Sequence, residues 1–143
     1  MSRVIAHGCF DCLHIGHIEH LRAARKLGSS LSIALTDDAG VGKGQGRPVF
    51  SWRERSDMLS ALRFVDQTFQ VRDLEHCLSF LTPDDIYVKG MDWFGKLPEQ
   101  YRIEHEIGAR VVFLDTLPVY SSTKILTGAL LSERIRTARD GQE

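Results

Sequence analysis

The chain has 143 residues, of which 43% are apolar, so it is long enough for one ordinary domain with a buried core. Its 18 basic and 19 acidic side chains give a formal net charge of −1, which offers no electrostatic reason to expect a DNA or RNA partner. No apolar run approaches the roughly 18 residues of a membrane helix, and no secretory signal is recognisable, so we expect a cytoplasmic protein that does not bind membranes.

Three predicted elements open the chain. Residues 4–6 form a short apolar run typical of a buried strand. A helix is predicted over residues 17–27, because its apolar side chains recur close to helical spacing, and Gly28 stands where a left-handed cap is favoured. The next apolar run, residues 31–35, lacks clean alternation, which suits a strand covered on both faces.

A glycine-rich loop over residues 36–48 leads to the second predicted helix. Ser51 is its predicted N-cap, because Glu54 three residues later completes a capping box, and the helix should run to about residue 63. A strand over residues 69–71 and a helix over residues 73–81 follow.

The last third of the chain continues the same alternation. Strands are predicted at residues 86–88 and 111–114, with a loop over 90–97 and a helix that Pro98 opens between them. A final helix is predicted from Ser122 to about Arg136, with residues 137–143 as a frayed tail.

This regular alternation of strands and helices predicts an α/β fold. We expect a single doubly wound, Rossmann-like domain over residues 1–136, with a five-stranded parallel sheet and helices on both faces. Ligands in such folds bind at the carboxyl ends of the strands, where the strand order reverses. The loops after the first, second, fourth and fifth strands are therefore the candidate site.

The loop after the first strand carries the strongest functional motif. From Gly8 to His17 it reads Gly-Cys-Phe-Asp-Cys-Leu-His-Ile-Gly-His and runs into the first helix. Gly16 allows the backbone to approach a phosphate closely, and the helix N-terminus offers N–H groups and partial positive charge. His14 and His17 can donate hydrogen bonds to phosphate oxygens as charge builds in a transition state. Two ordinary surface histidines are the alternative, but their place at a strand-to-helix turn favours function.

This segment resembles the Gly-x-Phe-Asp-x-x-His-x-Gly-His signature of the cytidylyltransferase-like nucleotidyltransferases, and the resemblance extends from Val4 to about Leu130. It is nearest to the branch that contains glycerol-3-phosphate cytidylyltransferase and the nucleotidyltransferase domain of ADP-heptose synthase. The resemblance implies transfer of a nucleoside monophosphate from a nucleoside triphosphate to a small phosphorylated acceptor, with release of pyrophosphate. It also implies a homodimer, and Mg²⁺ that bridges phosphate oxygens, with Asp11 as a candidate ligand.

The resemblance carries roles onto three sets of residues. The implied catalytic residues are His14, His17 and Lys43. The implied nucleotide-binding residues are Gly8, Cys9, Phe10, Asp11, Gly16, Lys89, Gly90, Asp92, Tyr120, Ser121, Ser122 and Thr123. The implied acceptor- or phosphate-binding residues are Arg47, Arg55 and Arg63.

Several of these residues also suit their roles chemically. Lys43, among glycines, is a mobile point charge suited to phosphates. The carboxylate of Asp92 can accept from the exocyclic amino group that both cytosine and adenine carry. Ser122 and Thr123 open the last helix, where an anion site and an ordinary N-cap are both expected. Arg55 and Arg63 equally suit solvated helix charges.

Other interpretations stay open at this level. His7, Cys9, Cys12 and His14 lie close together and could bind a structural metal or, through the two thiols, form a reversible disulfide. No second Cys-x-x-Cys or His pair completes a standard zinc site, which disfavours the metal.

The substrates are likewise open between ATP and CTP. The favoured acceptor is a sugar phosphate of the heptose 1-phosphate kind, and the alternatives are glycerol 3-phosphate with CTP and an FMN-like acceptor with ATP. Thr116 to Val119 stand where glycerol-3-phosphate cytidylyltransferases carry Arg-Thr-x-Gly, which weakens the case for CTP. A nucleotide-binding module without catalysis is the alternative from another class.

Overall fold

The computed structural model describes residues 2–115 and 122–140. Five parallel strands form one sheet with the order β3-β2-β1-β4-β5. The strands are β1 (Arg3–Gly8), β2 (Ser30–Thr36), β3 (Gln67–Val71), β4 (Ile86–Gly90) and β5 (Arg110–Leu114). The order reverses between β1 and β4, so a crevice for ligands opens at their carboxyl ends. The predicted doubly wound α/β fold is confirmed.

Helices of three kinds connect the strands or follow the last of them. The α-helices are α1 (Ile15–Arg25), α2 (Trp52–Ser60), α3 (Leu74–Leu78), α4 (Ser122–Leu126) and α5 (Ala129–Asp140); a 3₁₀ turn covers Met91–Trp93 and a π-helix covers Arg102–Ile107. The predicted capping box of α2 is present, because Ser51 and Glu54 bond each other's backbone N–H. Among the described residues, no helix has the length and apolar content that a bilayer crossing requires.

Each face of the sheet has its own apolar core. Alternate residues of the strands point to opposite faces, and the two cores follow this rule. The α1 face buries Val4, Ala6, Leu21, Ala24, Ile33, Leu59, Ile86 and Val88. The α3 face buries Ile5, Ala34, Val71, Cys77, Leu78, Tyr87 and Ile103. This double coverage explains why the strands read as continuous apolar runs.

All five predicted strands are present, and each is one to three residues longer than predicted. The extension of β1 and β4 adds His7 and Lys89, which are polar and therefore fall outside an apolar run. Both continue the backbone ladder at the carboxyl edge, where polar side chains serve a site rather than a core.

The predicted left-handed cap at Gly28 is wrong. The helix α1 ends at Lys26 in a right-handed conformation, and Gly28 does not have a positive φ. A Cβ atom at Gly28 would lie 2.3 Å from the carbonyl oxygen of Ser2. Glycine is required here because two backbone segments approach closely, which a local pattern does not reveal.

The helices of the second half differ from prediction in their bounds. The helix α3 is shorter than predicted, and Pro98 precedes a segment whose regular part is the π-helix, ended by Gly108 at φ 84°. The predicted final helix is two helices, separated where Gly128 adopts φ 76°. The second of them continues to Asp140, beyond the end predicted near Arg136.

Candidate active site

The loop after β1 has a strained backbone that fixes its shape. Phe10 and Cys12 adopt φ values of 47° and 69°, a region that side-chain-bearing residues rarely occupy. The Phe10 ring packs edge-on against His17 at 5.1 Å between centroids, and a Cβ on Gly8 would lie 2.9 Å from the Phe10 ring. Such strain persists only where surrounding contacts hold it, and it is concentrated at functional sites.

Asp11 is fully buried and ties this loop to the loop after β2. Its carboxylate accepts hydrogen bonds from the backbone N–H groups of Val49 and Phe50 at 2.9 to 3.1 Å. It also accepts from Arg47 Nε at 2.7 Å, in an ion pair. Burial alone would raise the pKa of Asp11, but the hydrogen bonds from Arg47, Val49 and Phe50 outweigh it and leave that pKa lowered.

The contribution of Asp11 to the stability of the folded chain should depend on pH. Since its folded-state pKa is lowered, its contribution to stability is fully present above about pH 4 and is lost as the pH falls through the folded value. We expect Asp11→Asn to reduce the free energy of unfolding by about 2 kcal/mol at neutral pH. The difference from the wild-type chain should shrink as the pH falls below about 4.

Urea unfolding over a series of pH values measures this, with the exposed Asp84→Asn as the matched control. A difference between wild type and Asp11→Asn that stayed constant from neutral to acid pH would contradict the assignment.

Arg55 is completely buried behind the same loop. Its Nε donates to the carbonyl of Phe50 at 3.0 Å, and one terminal nitrogen donates to the carbonyls of Cys9 at 2.8 Å and Thr36 at 2.9 Å. The other terminal nitrogen pairs with Asp38 at 2.7 Å. The structure thus corrects the predicted phosphate or acceptor contact of Arg55, because its donors hold the loop after β1 against the end of β2 and the loop that follows it.

The histidine pair lies at the start of α1 and is held by the helix backbone. The rings of His14 and His17 are stacked, with centroids 3.8 Å apart. Nδ1 of His14 accepts from the backbone N–H of Gly16 at 3.0 Å, and Nδ1 of His17 accepts from the backbone N–H of His14 at 3.3 Å. A neutral imidazole has one N–H, so these bonds assign the proton of each neutral ring to Nε2.

The electrostatics of the pair favour neutral rings. Burial lowers the pKa of both histidines, and the pKa of His17 falls to about 3. The charge of Lys43 lowers both pKa values further, so this lysine lies near the pair although its side chain is exposed. Two neutral Nε2–H groups and one nearby cation form an array suited to phosphate oxygens.

Arg47 extends this array toward α4. Besides its ion pair with Asp11, Arg47 has a terminal nitrogen 3.4 Å from the hydroxyl oxygen of Thr123. Its other terminal nitrogen is buried and has no partner among residues 2–115 and 122–140. A guanidinium with a buried, unused donor is well suited to a phosphate oxygen.

Gly90, Lys89 and Asp92 lie across the crevice, where β4 ends. The Asp92 carboxylate turns back over Gly90, where a Cβ would come within 2.5 Å of its oxygen. Asp92 is exposed, as the predicted contact with a base requires. Burial and the charge of Lys89 lower the pKa of His20, a residue that was not predicted for the site, and the charge of Asp92 opposes them. The signal available was spacing, since His20 follows His17 by one helical turn.

The structure does not bring Arg63 to this site, which corrects its predicted phosphate role. Arg63 lies after α2, in the turn that leads to Asp66. Asp66 bonds Leu31 at the start of β2. The length of β2, about 20 Å, separates that position from the carboxyl edge.

Three of the predicted residues near α4 receive little or no description. Tyr120 and Ser121 lie outside the described residues, and of Ser122 only the helical backbone is described. Their predicted role in phosphate binding stays a prediction.

The metal interpretation finds no support in the part of the chain that is described, because no three His, Cys, Asp or Glu side chains there are grouped to hold an ion. The predicted contact between Asp11 and Mg²⁺ is disfavoured, since both carboxylate oxygens already accept hydrogen bonds.

The third cysteine, Cys77, lies in the core under α3. Burial raises the pKa of its thiol to about 12, which makes it unreactive.

A doubly wound parallel sheet with a histidine pair at its first strand-to-helix turn is the arrangement that the resemblance to the nucleotidyltransferases implies. The chain belongs to the cytidylyltransferase-like family, whose model matches residues 5–128. The predicted family is confirmed, and membership of it supports the predicted enzyme class.

Two relatives carry the name bifunctional protein HldE. The chain is 44% identical over 131 residues to the protein of Streptomyces coelicolor, covering 88% of this chain and 28% of that one. It is 38% identical over 127 residues to the protein of Desulfatibacillum aliphaticivorans, covering 86% and 26%. The chain therefore spans about a quarter of the length of these curated relatives.

Two solved structures share the fold. A lipopolysaccharide core biosynthesis protein from Thermoplasma volcanium GSS1 is 30% identical, with a TM-score of 0.68, covering 82% of this chain and 98% of that one. A protein of unknown function from Archaeoglobus fulgidus is 20% identical with a TM-score of 0.61, covering 80% and 90%, and supports the fold alone.

Proposed function

We propose that this chain transfers the nucleoside monophosphate of ATP to a sugar phosphate of the heptose 1-phosphate kind and releases pyrophosphate. The observation that carries the proposal is the pair of neutral histidines at the start of α1. Their Nδ1 atoms accept backbone N–H groups of the helix, and their two Nε2–H donors lie side by side. The choice of substrates is supported by the relatives named HldE and by the sequence resemblance to the nucleotidyltransferase domain of ADP-heptose synthase.

The reaction is a direct in-line displacement. An oxygen of the acceptor phosphate forms a bond to the α-phosphorus, and the bond from that phosphorus to the bridging oxygen of the β-phosphate breaks. The acceptor phosphate is ionised at neutral pH, so the site needs no general base. Positioning and charge stabilisation supply the catalysis.

Each residue of the array has one task in this proposal. His14 and His17 donate from Nε2 to the α-phosphate and the leaving oxygen, and Lys43 neutralises the charge that builds on the equatorial oxygens. Arg47 and Thr123 hold the departing pyrophosphate. These residues suit their tasks because all carry donors at the carboxyl edge of the sheet.

Magnesium enters this proposal with the triphosphate. Mg²⁺ at nucleotide sites is held largely by phosphates and water, with one or two carboxylates, and both oxygens of the Asp11 carboxylate are already engaged in hydrogen bonds. When bound, the ion would neutralise phosphate charge.

The predicted homodimer is likewise proposed, and a measurement of the molar mass in solution by light scattering tests it.

The test is a matrix of pyrophosphate release, in which ATP, CTP, GTP and UTP are each combined with sugar, polyol and flavin phosphates. We expect release with ATP and a sugar 1-phosphate. Release with CTP and glycerol 3-phosphate would replace the proposed substrates and keep the chemistry. Nucleotide binding without release from any pair would support a non-catalytic module.

A further inference from the structure

The side chain of Lys89 and the helix α1, which carries the histidine pair, lie on opposite faces of the sheet. Val88 packs in the core under α1, whereas Tyr87 packs in the core under α3. Strand residues two apart share a face, so the side chain of Lys89 follows that of Tyr87 toward α3. His7 follows Ile5 to the same face at the end of the neighbouring strand β1.

The charge of Lys89 has no counter-ion within ion-pair distance among residues 2–115 and 122–140. Its Nζ donates one long hydrogen bond, 3.3 Å, to the carbonyl of His7. It lies 5.0 Å from the centroid of the Trp93 ring and 5.9 Å from that of Tyr87. Burial lowers the pKa of this lysine. The charge of the exposed Asp92 raises the pKa of Lys89 but forms no ion pair with it. Within the described residues, this partly buried cation therefore has a carbonyl and two aromatic faces around it and no anion in direct contact, although an anion normally accompanies a buried charge.

His7 adds unused hydrogen-bonding capacity at the same place. Its Nε2 is bonded to the hydroxyl of Thr36 at 3.2 Å, while its Nδ1 is buried without a partner in the described part of the chain. Burial lowers the pKa of His7 to about 4, so the ring is neutral. Buried polar atoms of native proteins are nearly always satisfied, and a polar ligand that reached Nδ1 in the plane of the ring would satisfy this one.

The sheet order separates Lys89 from the groups assigned to pyrophosphate. The strands β2 and β4 flank β1 on opposite sides. Arg47 and Lys43 belong to the loop after β2, and Lys89 belongs to β4. An in-line displacement requires the attacking and leaving oxygens on opposite sides of the phosphorus, so a cation on the β4 side suits the attacking group.

We propose that Lys89 binds the attacking phosphate of the acceptor, which enters on the α3 face beside His7 and Trp93, rather than the nucleotide as the sequence resemblance implies. The proposal rests on the transferase function above and names the acceptor's chemistry: a phosphomonoester on a polyhydroxylated body. Trp93, whose side chain is partly exposed, would cover that body.

The test compares Lys89→Met, which keeps the length of the side chain and removes its charge, with Lys89→Arg and with Lys96→Met, an exposed lysine of the following loop. Binding of mannose 1-phosphate and, separately, of the non-hydrolysable ATP analogue AMPCPP is measured by calorimetry on the full chain. We expect Lys89→Met to weaken binding of the sugar phosphate at least about tenfold, with AMPCPP changed less than about twofold. Lys89→Arg should retain most of the binding.

Thermal unfolding separates this role from a structural one. Removal of a buried charge without a counter-ion should leave the melting temperature of Lys89→Met equal or higher, whereas a lysine that ties β4 to β1 should lower it when lost. Loss of AMPCPP binding with sugar phosphate unaffected, or no change in either, would overturn the proposal. If binding of the sugar phosphate required Lys89 but the wild-type chain showed no turnover, only the proposed transferase function would be overturned.

Discussion

Replacing His17 with asparagine should lower kcat by about 100-fold or more while the fold is preserved. The asparagine carbonyl can accept the backbone N–H of His14 in place of Nδ1, so the helix cap is retained. The donor at the Nε2 position is lost, and with it one hydrogen bond to the reacting phosphate. The same reasoning applies to His14→Asn, whose carbonyl can accept from Gly16.

Steady-state pyrophosphate release and urea unfolding measure the two consequences separately. The alanine variants should lose the same activity and, in addition, about 1 kcal/mol of stability, since they also remove the cap. His105→Ala, at an exposed histidine outside the site, is the matched control. Near-normal turnover of either asparagine variant would show that the histidines cap the helix and do nothing more.

Arg55→Met should destabilise the chain by about 3 kcal/mol, the largest stability effect that we expect from any single substitution. The change leaves the carbonyls of Cys9, Thr36 and Phe50 without their donor. Activity should fall with stability because the loop that carries the phosphate motif loses its support. Arg55→Lys should recover only part of the loss, since an ammonium cannot reproduce the planar fork.

Urea unfolding of Arg55→Met beside Arg53→Met provides the comparison. Arg53 lies two residues away in α2 and is exposed, so its loss should change the free energy of unfolding by less than about 0.5 kcal/mol. If Arg55→Met kept full stability and lost only affinity for substrate, the predicted phosphate contact would have to be restored.

The sequence predicted the sheet well because its signal is local. Five apolar runs, each bounded by turn residues, were sufficient to place five strands and to infer that they are parallel. The capping box of α2 is equally local, since Ser51 and Glu54 are three residues apart. Helix ends were less accurate, and Gly28 was misassigned, because its neighbour Ser2 is distant in sequence.

In the candidate site, too, local features were predictable from the sequence and tertiary contacts were not. The motif from Gly8 to His17 is contiguous and was visible as a motif. The roles of Arg55 and Arg63 were not distinguishable, since both are arginines at or after the same helix. Only tertiary structure shows that one is buried among loop carbonyls and that the other lies toward the amino edge of the sheet. Asp38, the partner of Arg55, had no sequence signal at all.

The glycines around Lys43 have a consequence for selectivity against water. Gly42, Gly44 and Gly46 all adopt positive φ values, and Lys43 is exposed between them. Ordering such a segment costs conformational entropy, which the phosphates of bound substrates can offset and a lone water molecule cannot. Under the proposed function, the phosphates of the triphosphate and of the acceptor would both contribute to ordering Lys43, so we expect hydrolysis of the triphosphate without an acceptor to be slow.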